Sequence, residues 1–473
     1  KLISDRTALG RHREAKDIYR AAITFAVFTG VVMTLLLFVL APFYAEHVTK
    51  DAEAALAIRA LAPALLMFPL IAVMRGYYQG RQMMLAQGIS QIVEQILRVI
   101  TAVVLAAAFI WLGYDREIAA AGASFGGVTG AVGALGVMVW FWLRSRTKDK
   151  PLYVQEQFYY KQSNKAIYKR LFKLAIPISF VSINVPMIYF IDSSITIGLL
   201  EDQIGYTAAK ETLGILTGRA QAFAGIAPVL AIAVGQTILP VISSAYARSD
   251  MERVRSQGVL ALKVTLLTAL PIILVLCTAA PSYNSFLFGD SEGSGIIALL
   301  VASTLFQVLM MAAGSILTGL DRTKLTMRVV MLGILVKLLF SFALTEWLGI
   351  YGIVGSTMLA FAFNLTIYFV ILKKIIPITV FTIRQWTILA VGVLLLAAIG
   401  FALHELMSLL ISIPNSRLDD LLIAGIVSLP LCLVYLAMIL KFQIVSDEDL
   451  TYIPQKLQNL LVKLLRLIPK RLR

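Results

Sequence analysis

Asp192 stands in the run Ile188-Tyr189-Phe190-Ile191-Asp192-Ser193-Ser194, with no basic residue one helical turn away. A carboxylate inside so apolar a stretch is expensive and usually functional. Its chemistry suits a coupling cation or proton, or a basic partner across a cavity; it would equally serve helix packing or capping. Arg219, in Leu216-Thr217-Gly218-Arg219-Ala220-Gln221, begins the next apolar stretch, on the same outer half. Its planar fork makes paired, charge-assisted bonds to a diphosphate; an arginine snorkelling to the interface would look the same. Glu94 and Arg98 are spaced as a helical ion pair with the acid N-terminal, and Glu94, like Asp192, is a candidate cavity carboxylate or ligand of a coupling cation. Lys337, a second basic residue read near the inner end of an apolar stretch, would join Arg98 in attracting an anionic group from the cytoplasm, or both would anchor their helices at the interface. Arg75 closes the inner end of its own stretch and is read mainly as an anchor, secondarily as a headgroup contact.

These side chains need helices to hold them in lipid. The chain is 59% hydrophobic and only 15% charged, outside the range of ordinary soluble domains. Its mean hydropathy is +0.84. Twelve stretches approach the ~20 apolar residues of a bilayer span: 20–43, 56–78, 92–112, 118–142, 171–199, 219–242, 258–280, 295–318, 327–348, 352–372, 386–410 and 418–441. Short alternating strands, the mark of a barrel, are not seen. The net charge of +15 is distributed by loop. With residues 1–20 inside, alternate loops carry 34 of the 42 Lys and Arg. This is the positive-inside pattern and predicts both ends of the chain in the cytoplasm. The excess then faces anionic lipid headgroups, not nucleic acid.

The sequence also repeats itself at an offset of 239. Pro42, Tyr44, Asp51, Glu53 and Gly80 match Pro281, Tyr283, Asp290, Glu292 and Gly319; Ile3-Ser4 matches Ile242-Ser243, and Arg98 matches Lys337. Two related bundles in one membrane chain suit a transporter whose halves rock around a shared site. Spans 171–199 and 219–242 have no partner in the first half, so two further helices are expected upstream of Lys1. The predicted organisation is an N-terminal lobe (1–143), a basic, aromatic cytoplasmic loop (144–170, with Arg144, Arg146, Lys148, Lys150, Tyr159, Tyr160, Lys161 and Lys165), a C-terminal lobe (171–372), an appended helix pair (373–442) and a basic amphipathic tail (443–473). The tail, with its apolar positions at helical spacing, and segment 81–97 are read as helices in the interface.

Several chemistries find no support. No phosphate-cradling G-x-x-x-x-G-K-[ST] occurs, so ATP-driven pumping within this chain is not expected. His12, His47 and His404 are scattered, and no metal-ligand spacing appears. Cys277 and Cys432 lie in apolar runs and imply no disulfide framework. Asp447-Glu448-Asp449 and Asp419-Asp420 read as solvated charge. Gly122, Gly126 and Gly130 share a helix face and suit close helix packing. Pro177, Pro186, Pro228 and Pro271 are expected to bend their spans.

The run Arg75-Gly76-Tyr77-Tyr78-Gln79-Gly80, followed by Ser90-Gln91-Ile92-Val93-Glu94-Gln95-Ile96-Leu97-Arg98-Val99, resembles the MurJ/YtgP/SpoVB branch of the multidrug/oligosaccharidyl-lipid/polysaccharide (MOP) exporter superfamily. Asp192-Ser193 and Thr217-Gly218-Arg219 fit that resemblance. It implies an all-α polytopic membrane protein with a MATE-like fold: two pseudo-symmetric six-helix lobes plus an extra C-terminal pair, of which this chain supplies about twelve helices. It implies an alternating-access flippase, not an enzyme, that moves undecaprenyl-pyrophosphate-linked peptidoglycan precursor, lipid II, across the bacterial cytoplasmic membrane. A flippase for another polymer precursor and a cation-coupled drug exporter are the alternatives. Arg219 matches the arginine of the family's eighth helix, and Asp192 lies near its cation site, while Lys337 has no match there. The appended pair, 386–441, would provide the groove for the lipid tail. No cofactor is expected beyond a coupling cation (Na+ or H+) or the membrane potential. The expected partners are the lipid-linked substrate and membrane lipids, with a monomer associated with the cell-wall machinery.

Overall fold

The computed structural model describes residues 2–8, 10–81, 83–154, 163–377, 379–410, 417–442 and 444. The predicted tail helix, Asp447-Glu448-Asp449, Tyr159, Tyr160 and Lys161 lie outside these. Among the described residues no strand occurs. The helices are α1 (Leu2–Ala8), α2 (His12–Phe43), α3 (Ala54–Gly80), α4 (Met84–Trp111), α5 (Arg116–Val154), α6 (Asn164–Ser182), α7 (Asn184–Ile204), α8 (Tyr206–Gly214), α9 (Gln221–Ala224), α10 (Ile226–Ala247), α11 (Met251–Thr278), α12 (Ala280–Phe288), α13 (Ser294–Gly319), α14 (Thr323–Leu348), α15 (Ile350–Ile375), α16 (Ile383–Leu410) and α17 (Arg417–Lys441). Wider π-helical turns cover Tyr44–Val48 and Ile215–Ala220. Among the described residues, eleven helices are long and apolar enough to cross a membrane, or twelve if α6 and α7 form one broken span.

The duplication is written into the backbone. Helices α2 and α11 begin 239 residues apart, at His12 and Met251, and so do α4 and α14, at Met84 and Thr323. The turn before α2 has Gly10 at φ +70°, and its equivalent Ser249 has φ +59°. Lys50 and its equivalent Gly289 likewise both have positive φ, at +54° and +93°. Such conformations are uncommon for residues with a Cβ, so their recurrence at one offset marks a common ancestor turn. Gly80 sits against Ile3 as Gly319 sits against Ile242; a Cβ at either glycine would come within 2.8 Å of the isoleucine. One local feature differs. Asp250 caps α11 by accepting from the Arg253 amide at 3.0 Å, while the equivalent Arg11 makes no side-chain cap.

The chain forms two compact units, Lys1–Ile176 and Pro177–Arg473. The division therefore falls inside α6, not across a loop at 144–170. Helix α5 runs on to Val154 and α6 starts at Asn164, so both ends of that segment are helical. The first half of α6 belongs with unit 1 because it packs on α2. Ile167 is buried with Ile18 and Ala21, the Tyr168 hydroxyl donates to Ala21 O at 3.2 Å, and Phe172 meets Phe25 edge-on at 5.0 Å. Segment 81–97 is likewise not a separate interfacial helix: it feeds directly into α4.

Unit 2 has the larger core, in which α13 is central. Ile297, Leu300, Val308, Ala312, Ile316 and Leu317 are all buried. The appended pair α16 and α17 belongs to this unit and is joined to it by polar contacts. Ser282 Oγ and His404 Nε2 lie 2.9 Å apart, as do the Tyr283 hydroxyl and Ser428 Oγ. Ser285 donates to Asp420 at 2.6 Å, and the Tyr435 hydroxyl donates to Leu267 O at 3.0 Å. Asp420 thus has a buried-side partner and is more than solvated charge. Pro177 and Pro271 lie inside α6 and α11, as expected of bent spans. Pro186 and Pro228 instead stand in the first turns of α7 and α10. A missing N–H leaves nothing unsatisfied there, and α6 and α7 are bent by 55° across the break that precedes Pro186, so Pro186 accompanies a bent span as expected, while Pro228 begins α10.

Candidate functional site

In unit 1 the glycine face of α5 sets the geometry. A Cβ at Gly126 would lie 2.5 Å from Arg98 O, and one at Gly130 would lie 2.7 Å from Glu94 O. The two backbones can approach only because these residues are glycine. Glu94 thereby turns into a shared polar pocket with Arg75 of α3. Arg75 Nη2 donates to Glu94 Oε2 at 2.8 Å and to Ser90 Oγ at 2.8 Å. Arg98 pairs with the other carboxylate oxygen, Oε1. Glu94 is 10% exposed, Arg75 20% and Arg98 36%. One carboxylate therefore carries two guanidinium groups, leaving a net positive charge on a half-exposed helix face. Ser90 completes the network by donating to Ala134 O at 3.2 Å.

In unit 2 the equivalent position holds Lys337. Arg98 and Lys337 are each the fifteenth residue of their helices, so both stand mid-helix and not at an inner end. The reason is that α4 and α14 begin several residues before their apolar runs do. Lys337 is completely buried and forms an ion pair with Asp192 of α7. Its ammonium also donates to Ile353 O at 2.8 Å and Ser356 Oγ at 2.7 Å, both on α15. Asp192 accepts a second bond from Thr357 at 3.1 Å. In this arrangement Lys337 does not present its charge to a headgroup, and Asp192 is not open to a cation: the ammonium stands where a cation would. Among the described residues no cluster of three or more His, Cys, Asp or Glu could hold a metal.

Arg219 lies in the π-helical turn before α9, outside the span that α10 provides. Its fork grips Asp290, with Nη1 to Oδ1 at 2.5 Å and Nη2 to Oδ2 at 2.9 Å. Phe288 lies under the guanidinium at 5.2 Å. Asp290 also accepts from the Glu292 amide at 2.9 Å, while buried Asn284 ties the loop down by donating to Glu292 O at 2.7 Å. The hydrogen bonds from Arg219 hold the Asp290 carboxyl below its ordinary range, helped by the Glu292 amide. The same carboxylate raises the Arg219 pKa.

Unit 2 also encloses a cavity of about 600 Å³, bounded by α6, α7, α10, α13 and α15. Its polar lining includes Asn184, Tyr189, Gln236, Gln307, Ser315 and Tyr368, and none of its lining residues is charged. None of the six ionisable residues singled out in the sequence faces it.

Comparison with known proteins places this architecture. Residues 11–246 match the family model described as "Polysaccharide biosynthesis protein". The chain is 25% identical over 392 residues to the lipid II flippase MurJ of Bacillus subtilis (strain 168), covering 79% of this chain and 71% of that protein. It superposes on a solved lipid II flippase MurJ in an inward closed conformation with a TM-score of 0.60 at 14% identity, covering 93% of this chain and 88% of the other. An inward-facing multidrug resistance MATE family transporter of the MOP superfamily gives a TM-score of 0.58 at 13% identity, over 79% of this chain and 84% of that one. The chain shares the fold of MurJ and of a MATE transporter of the MOP superfamily.

The site residues fall into three groups. The structure joins Arg75, Glu94 and Arg98, joins Asp192 with Lys337, and keeps Arg219 apart with a partner of its own. Sequence spacing exposed the Glu94–Arg98 pair because the two are one helical turn apart. Asp290 was visible only as the repeat counterpart of Asp51, a signal of ancestry and not of pairing. Ser356 and Thr357, which complete the Lys337–Asp192 cluster, look like ordinary small polar residues in an apolar helix and gave no signal.

Proposed function

We propose that this chain is an alternating-access flippase for a lipid-linked saccharide, and that its substrate is the undecaprenyl-pyrophosphate-linked peptidoglycan precursor lipid II. The observation that carries this reading is the extent of the similarity to the Bacillus subtilis lipid II flippase: 392 aligned residues exceed the length of either compact unit. The kinship therefore involves both halves of a duplicated machine.

The physical task is to bring a diphosphate-sugar past the hydrocarbon while the polyprenyl tail stays in lipid. No bond is made or broken. Arg75 and Arg98, with one carboxylate between them, have the net charge to attract the diphosphate; Arg219 has the fork to receive it once Asp290 is displaced. In this reading the protein sits in the bacterial cytoplasmic membrane with both ends of the chain inside. With the inside negative, the membrane potential then favours moving a diphosphate outward. About two negative charges crossing ~100 mV gain on the order of 4–5 kcal/mol, enough to bias the cycle without a coupling ion.

Depletion of the protein in cells lacking any other lipid II flippase tests the reading. The expected result is lipid II retained on the inner leaflet. Normal translocation would reject lipid II as the substrate.

A further inference from the structure

The Lys337 ammonium has three N–H donors, and the structure gives it three oxygens: Asp192 Oδ1, Ile353 O and Ser356 Oγ. A carboxylate, a backbone carbonyl and a hydroxyl are the oxygen donors that a hard inorganic cation selects. Thr357 supplies a further hydroxyl on the far oxygen of Asp192. Ser341 lies 2.8 Å from Ser356 and holds it in place. The three helices that contribute, α7, α14 and α15, are thus drawn together around one positive charge. Lys337 and Asp192 are 0% and 1% exposed, so neither charge has water as an alternative partner. Removing either alone leaves the other stranded.

We infer that Lys337 is a tethered cation that permanently fills an oxygen cage formed by Asp192, Ile353 and Ser356, so that this lobe keeps its packing without any alkali ion. The lysine does what a bound sodium ion would do, at fixed stoichiometry and irrespective of the salt outside. Its removal therefore creates a cation site where none was available. Substitution by alanine deletes three methylenes and the ammonium, a void of the shape of n-propylammonium with a carboxylate at its end. The inference is independent of which substrate the protein moves, so its test does not depend on transport.

The experiment uses the purified full chain and reads thermal melting in choline chloride, sodium chloride and n-propylammonium chloride at equal ionic strength. Wild type is expected to melt at the same temperature in all three. Lys337→Ala is expected to lose roughly 5–10 °C in choline and to recover more than half of that loss, saturably, in n-propylammonium or sodium. Asp192→Asn/Lys337→Met, a neutral pair of similar volume, is expected to be indifferent to all three salts. Failure of both cations to rescue Lys337→Ala overturns the inference. If Lys337→Ala does not accumulate, wild type and the neutral double variant decide alone. Indifference of both to sodium supports a filled cage; sodium stabilising wild type but not the double variant shows a site that the lysine leaves open, and overturns it.

Discussion

Arg219 and Asp290 meet through two parallel bonds, 2.5 and 2.9 Å long, with Phe288 beneath the guanidinium. A fork so engaged is already shaped for a diphosphate but is closed to it until the carboxylate leaves. Asp290 is therefore a competitor of the substrate, and the loop Gly289–Gly293 that carries it is the element that must yield. Asp290→Asn should raise the affinity for undecaprenyl pyrophosphate several-fold, measured by titration of the purified protein. Arg219→Ala should abolish complementation of a flippase-deficient strain with expression intact. Weaker binding by Asp290→Asn would instead make the aspartate a support of the fork.

The same pair predicts a pH response of known sign. Asp290 is held below its ordinary range, chiefly by the Arg219 hydrogen bonds. A carboxylate with a depressed folded-state pKa contributes stability above its unfolded pKa and loses it as pH falls through the folded value. The difference in melting temperature between wild type and Asp290→Asn should thus stay constant from neutral pH down to about 4 and vanish below that. No difference between the two proteins even at pH 7 would show the pair to be absent in solution.

Glu94 neutralises two arginines, so its loss should be felt more than that of a surface pair. Glu94→Gln leaves Arg75 and Arg98 facing each other across a pocket where the carboxylate is only 10% exposed. A fully buried broken pair costs about 3–5 kcal/mol. With Arg98 36% exposed, screening lowers the expectation to roughly 1–2 kcal/mol. Chemical denaturation in detergent measures it. Adding Arg98→Met to Glu94→Gln should recover part of the loss, because one of the unmatched charges is then gone.

The duplicated turns give a paired prediction. Gly319→Ala drives a Cβ to 2.8 Å from Ile242 Cγ2 and 3.3 Å from Leu239 O, and Gly80→Ala drives one to 2.8 Å from Ile3 Cβ. Overpacking of this kind costs about 1–3 kcal/mol. Trimming the partner, Ile242→Ala or Ile3→Ala, should relieve its own glycine variant and not the other. A double-mutant cycle within each half measures the coupling. Equal coupling in both halves would confirm that the two contacts are one inherited device.

Much of the fold was legible because it rests on patterns local in sequence. Apolar run length located most spans, and the constant offset located the repeat whose turns recur in the backbone at Gly10 and Ser249 and at Lys50 and Gly289. Span ends were less legible. Helix α4 begins at Met84, ahead of its apolar run, and Pro186 and Pro228 look alike in sequence whether they bend a helix or begin one. The candidate site was legible only where its partners share a helix. Glu94 and Arg98 could be paired by spacing; Asp192 and Lys337 lie on different helices, and only the packing of α7 against α14 and α15 brings them together.

The length of α11 and the placement of basic residues predict the side of the membrane on which Arg219 works. Helix α11 has 28 residues, about 42 Å at 1.5 Å per residue, which is enough to cross the ~30 Å hydrocarbon layer. Arg248, just before α11, and Ser291, just beyond α12, should therefore lie on opposite sides. The distribution of basic residues puts Arg248 inside. Because Arg219 is bonded to Asp290, it must share the side of Ser291, which is then the release side for a substrate entering from the cytoplasm. In a chain carrying Cys277→Ala and Cys432→Ser, Ser291→Cys should react in intact cells with a maleimide that cannot cross the membrane, and Arg248→Cys should react only after permeabilisation. The reverse labelling would put the Arg219 fork at the capture side and make it the first group to meet the headgroup, ahead of Arg75 and Arg98.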